Sequence, residues 1–121
     1  MCMKFQLSQR FSKELKRFSK KYRSLPDDFV KLQAVLRAVP EGNGSKHWNR
    51  LHVSPDGCVV VFKVRLACAS LRGQSLFRVI YGYNTNDEET VLIDFIELYY
   101  KGEKANEDQD LIQEYLDSQS L

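Results

Sequence analysis

Lys63, Arg65 and Arg78 are cations set into runs that otherwise read as sheet, residues 59–66 and 76–81. Successive side chains of a strand point to opposite faces, so Val60, Phe62, Val64 and Leu66 share one face while Lys63 and Arg65 share the other. In the second run Phe77, Val79, Tyr81 and Tyr83 take the core parity, which leaves Arg78 to lie beside Lys63 and Arg65 if the strands pair. Three fixed cations with no adjacent acid form a comb suited to a phosphate. In-line attack at phosphorus builds negative charge on the phosphoryl oxygens, and preorganised cations stabilise that charge more than the ground state. Arg78 can do so through two parallel hydrogen bonds.

Two other residue sets have chemical potential. His47 and His52 suit acid–base work at neutral pH, but their spacing in a strand points the rings to opposite faces, so without a bulge at most one reaches a shared site. Trp48 between them reads as core filling at a sheet edge. Cys2, Cys58 and Cys68 form no C-x-x-C pair and no histidines cluster near them, which argues against a disulfide framework or a zinc site. Reduced thiols fit, with Cys58 and Cys68 acting as small buried hydrophobes; no metal or cofactor is expected.

The elements that must position the comb follow from periodicity. Residues 4–8 read as a first strand, and Ser8 can cap the helix after it. Phe11, Leu15, Phe18, Tyr22 and Leu25 recur at helical spacing, with Arg10, Lys13, Lys16, Arg17, Lys20, Lys21 and Arg23 around them. Residues 24–28 break and restart the chain, and Phe29, Leu32, Leu36 and Val39 mark a second helix that residues 40–45 stop, giving a helical hairpin. From His47 the period is two, with strands over 47–53, 58–67, 75–83 and 91–99 separated by turn signals. Asp94 and Glu97 break opposite parities of the last strand, which predicts a bulge. Asn106 then caps an acidic helix at about residues 106–118.

With 121 residues and 43% hydrophobic content, the chain predicts one domain over 1–121, of class α+β. No stretch approaches the roughly 18 apolar residues of a membrane helix, and the first residues lack the apolar middle of a secretory signal, so a cytoplasmic protein with no membrane partner is expected. The net charge of +2 conceals a division: residues 1–85 hold 16 Lys and Arg against 5 Asp and Glu, and residues 86–121 hold 2 against 11. A basic body of that kind attracts nucleic acid.

The order strand, helix, helix, three to four antiparallel strands, helix resembles the RelE/ParE superfamily of bacterial toxin–antitoxin toxins, a microbial ribonuclease-like fold. Phe62-Lys-Val-Arg-Leu66, Phe77-Arg-Val-Ile-Tyr81 and Phe95-Ile-Glu-Leu-Tyr-Tyr-Lys101 carry the resemblance, which spans nearly the whole chain. It implies a type II toxin that cleaves mRNA at the ribosome without metal, by 2′-hydroxyl attack on the neighbouring phosphate. By position, it implies that Lys63 and Arg65 are the paired basic strand residues, Arg78 the phosphate-binding arginine and Lys101 the last-strand basic residue. Lys63, crowded by Arg65 and Lys101, is then the candidate base. Tyr99 and Arg72 are candidate RNA contacts, Tyr99 by stacking on a base. Six residues beyond Lys101, where RelE itself has a tyrosine, this chain has Glu107. That departure keeps open a ParE-like inhibitor of DNA gyrase and a non-catalytic or decayed RNA-binding homologue. Every toxin version implies a cognate antitoxin, with the basic outer face of the first helix and the sheet edge as its natural docking places.

Overall fold

The computed structural model describes residues 2–119. Strand β1, Cys2–Leu7, ends at Ser8, whose hydroxyl accepts the Phe11 N–H at 3.0 Å and starts helix α1, Gln9–Ser19. The apolar spacing runs on to Leu25, yet α1 ends at Ser19, where the Phe18 carbonyl takes a tighter i−3 bond from the Lys21 N–H beside the i−4 bond from Tyr22. Leu25 instead opens helix α2, Leu25–Ala38, with Pro26 in its first turn and Asp27 and Asp28 at its positive end. Asp28 is buried and accepts from the Ser24 hydroxyl at 2.7 Å and from the Ala69 N–H at 3.1 Å, tying α2 to the turn at the end of the third strand.

Strands β2 (Trp48–Val53), β3 (Val59–Cys68), β4 (Gln74–Asn84) and β5 (Thr90–Tyr100) form an antiparallel meander. β1 adds to β5 in parallel, so the sheet order is β1-β5-β4-β3-β2. Helices α1 and α2 cover one face. There Phe11, Phe18, Leu25, Phe29 and Leu36 meet Phe62, Leu66, Phe77, Tyr81 and Phe95, with ring centroids of Phe29 and Phe95 4.8 Å apart in an edge-on contact. Helix α3, Gln109–Gln119, lies on the other face over a smaller cluster of Val61, Ile80, Ile96, Tyr99 and Ile112. Gly82 makes room for it, since a Cβ there would collide with the Tyr115 ring. α3 starts later than Asn106 predicts. Asp108 is its cap, accepting from Asp110 N–H at 3.0 Å and Leu111 N–H at 3.2 Å, and its own N–H is held by Glu97.

The predicted break in the last strand is a bulge. Ile80 pairs with Glu97 and Tyr81 with Phe95, so Ile96 is the extra residue, and the Ser8 hydroxyl donates to its carbonyl at 3.1 Å. A second register shift lies in β2 between Arg50 and His52. Among the described residues no helix is long and apolar enough to cross a membrane, and Cys2, Cys58 and Cys68 are free thiols, of which Cys68 alone is buried.

Candidate functional site

The comb lies on the α3 face, beyond the end of the Val61–Ile80–Ile96 cluster. Its residues come from three strands at one level. Arg65 pairs in register with Arg78, and Arg78 with Tyr99; one step further in, Lys63 pairs with Ile80 and Ile80 with Glu97. The bulge sets this arrangement, because Ile96 and Glu97 both turn to the α3 side and the alternation then delivers Tyr99 there as well.

Arg78 is held rather than free-swinging. Its Nη1 donates to the carbonyls of Ser75 at 2.6 Å and Phe77 at 3.1 Å, which leaves Nε and Nη2 without a hydrogen bond among the described residues. Burial first, and the like charge of Arg65 second, push its pKa below the ordinary arginine value. An arginine so placed gains most from an anion. Arg65 is exposed beside it.

Lys63 has the acid that the strand pattern lacked. Its Nζ lies 3.0 Å from Glu107 Oε2, with 19% and 10% of the two side chains exposed. Burial pushes the Glu107 carboxyl up, but its own backbone N–H, the hydrogen bond from Lys63 and the charges of Lys63 and Lys101 together hold it below the usual range. The crowding expected from Arg65 and Lys101 is therefore answered by a carboxylate, which Lys63 meets as an ion-pair partner. Sequence spacing hides this contact, since 44 residues separate the two. The one hint was a comb of cations in a chain whose acids gather near its end.

The segment bearing Glu107 is pinned. Glu97, buried at the bulge, takes Lys104 as an ion-pair partner on Oε2 and the Asp108 N–H on Oε1 at 2.9 Å. Lys101 sits at the rim, where its N–H donates to the Leu76 carbonyl at 2.8 Å and its Nζ to the Ala105 carbonyl at 2.7 Å.

Tyr99 differs from its predicted role. Its ring is only 3% exposed and packs in the α3-side cluster, so it offers no open face to a base. Its hydroxyl is buried and meets no hydrogen-bond partner among the described residues. Burial first, then the charges of Glu107 and Glu97 against that of Arg78, push the phenol up to about 12. Arg72, left-handed at φ 55°, is exposed in the turn between β3 and β4 and shares none of these contacts. The histidines separate. His52 faces α3, with Nε2 3.5 Å from Gln109 Oε1, while His47 lines a cleft with Asp28 and Leu32 beside α2. Among the described residues no group of His, Cys, Asp and Glu could hold a metal ion.

No family model matches the chain, and neither a curated protein nor a solved structure does.

Proposed function

We propose that this protein is the toxin of a type II toxin–antitoxin pair that cleaves mRNA at the ribosome, and that Lys63, Arg65, Arg78 and Lys101 supply the positive charge. The observation that carries the reading is the cross-strand row of Arg65 and Arg78, one half-buried and tethered, one exposed, with Lys63 a step away on the same face. The 2′-oxygen attacks phosphorus while its proton passes to a carboxylate. The bond from phosphorus to the 5′-oxygen breaks, and that oxygen takes a proton from water. The products are a 2′,3′-cyclic phosphate and a 5′-hydroxyl, with Arg78 and Arg65 stabilising the charge that builds in between. Glu107, the carboxylate paired with Lys63, is the acceptor this reading assigns; its lowered pKa makes it a weak base, so the cations carry most of the rate.

Induction of the protein without a partner, with messenger ends mapped by primer extension, tests this. New internal ends carrying 5′-hydroxyls are expected; unchanged messengers in arrested cells would sink the cleavage reading. A second reading has one observation in its favour. Glu107 cancels the charge of Lys63 in the resting site, as a non-catalytic RNA-binding homologue would tolerate. RNA retained in a salt-dependent way with no ends produced would select it. The cognate antitoxin is proposed to dock on α1 and the turn after it, where Lys13, Lys16, Lys20 and Lys21 are exposed.

A further inference from the structure

Glu97 is a carboxylate only 2% exposed, standing on β5 among the apolar residues that face α3. Taking such a group out of water is costly unless its oxygens are met. Among the described residues its side-chain bonds all go to the segment between β5 and α3. Oε2 pairs with Lys104 and Oε1 accepts the Asp108 N–H at 2.9 Å, seven and eleven residues further on. The Asp108 N–H belongs to the peptide group that joins it to Glu107, so the grip falls on the backbone directly beside the Glu107 side chain. Lys63, Ile80 and Glu97 share one cross-strand row, which sets the backbones of Lys63 and Glu97 about 10 Å apart. Glu107 fills that interval, 3.0 Å from Lys63 Nζ.

We infer that Glu97 is a positioning residue of the site: by holding Lys104 and the Glu107–Asp108 peptide it places the Glu107 carboxylate against Lys63. That Glu107 accepts a proton rests on the reading given above, whereas its placement by Glu97 does not. The seat of Glu97 is itself fixed, since the bulge turns it to the α3 side and the Ser8 hydroxyl donates to the carbonyl of the extra residue, Ile96, at 3.1 Å. A role through charge alone has the opposite signature. Neighbouring carboxylates raise one another, so removing only the charge of Glu97 would lower Glu107. Loss of place does the reverse. Burial pushes the Glu107 carboxyl up, but its own backbone N–H, the hydrogen bond from Lys63 and the charges of Lys63 and Lys101 outweigh it. Released into water it should rise to its ordinary 4.5.

The experiment titrates Glu107 in the full chain without RNA, by carboxyl-carbon NMR of glutamate-labelled protein, with Glu107→Gln identifying the signal. Glu97→Leu puts an apolar side chain into the α3-side cluster. Glu97→Asp keeps the charge but withdraws it by one methylene, and serves if the leucine variant does not fold. In both the Glu107 carboxyl is expected to rise. Cleavage at saturating RNA should fall by about 10²-fold, as misplacement of a reacting group does, while RNA binds no more weakly because Lys63 is left free for a phosphate. A Glu107 titration unmoved or lowered in the folded variants overturns the inference. So does RNA affinity that weakens together with cleavage, as a general loss of structure would cause. If wild type cuts no RNA and Glu107 still rises in the variants, the nuclease reading falls and the positioning role stands.

Discussion

The two faces of the sheet treat a buried tyrosine in opposite ways. On the face under α1 and α2, Tyr81 is fully buried, stacks 5.4 Å from Phe62 and has both hydroxyl functions satisfied. On the face under α3, Tyr99 is nearly as buried and its hydroxyl has no hydrogen-bond partner among the described residues. The first face is closed chemically as well as sterically. The second is covered only by the thin cluster around Ile112, and at its end the strands present Lys63, Arg65 and Arg78. Packing quality and chemical readiness are thus divided between two sides of one five-stranded layer.

The largest effect that separates the faces is on stability. Phe95→Ala empties space next to Phe5, Phe11 and Phe29 and is expected to cost about 3–5 kcal/mol in urea unfolding. If the faces are independent, the folded fraction should still bind RNA normally. Arg78→Ala is the mirror experiment. It should lower the cleavage rate by about 10²–10³-fold, as removal of a transition-state donor does, while the urea midpoint stays near that of wild type. A loss of stability equal to that of Phe95→Ala would show that Arg78 is core structure.

Two smaller effects sharpen the contrast between a site charge and a surface charge. The folded Glu107 carboxyl titrates below its ordinary value of 4.5. Its pair with Lys63 therefore contributes fully above that pH, and the contribution disappears as pH falls through the folded value. Unfolding measured from pH 6 down to 3 should be less steeply pH-dependent in Glu107→Gln. Smallest is Glu103→Ala, which removes an exposed partner 2.9 Å from Arg17 and should cost about 0.2–1 kcal/mol, screened by salt. An effect of Glu103→Ala on RNA cleavage would extend the site beyond the α3 face.

Much of this was legible in strand parity. Val60 to Leu66 and Phe77 to Tyr83 alternate cleanly, so the placement of Lys63, Arg65 and Arg78 opposite the aromatic core follows from local geometry alone. The conflict between Asp94 and Glu97 announced the bulge, because two acids of opposite parity cannot both avoid an aromatic core in a regular strand. What stayed hidden depends on contacts between distant segments. Glu107 reaches Lys63 only because Glu97 pins the segment that follows β5, and the isolation of the Tyr99 hydroxyl exists only once α3 has covered its ring. The end of α1 was missed because Tyr22 keeps both the helical spacing and an i−4 bond to Phe18 beyond the last helical residue, and the start of α3 because Asp108 out-competes Asn106 as a cap.

The extra residue at Ile96 has a consequence for how this chain can change length. Because it occupies a position that strict alternation does not need, a one-codon deletion there would leave Glu97 and Tyr99 on the α3 side and Leu98 and Tyr100 on the other. A deletion at Leu98 has no such slack: it forces either Glu97 or Tyr99 to the aromatic side. The bulge is thus a point where a lineage could gain or lose a residue without moving the chemistry, a spare link in a strand that otherwise cannot be resized.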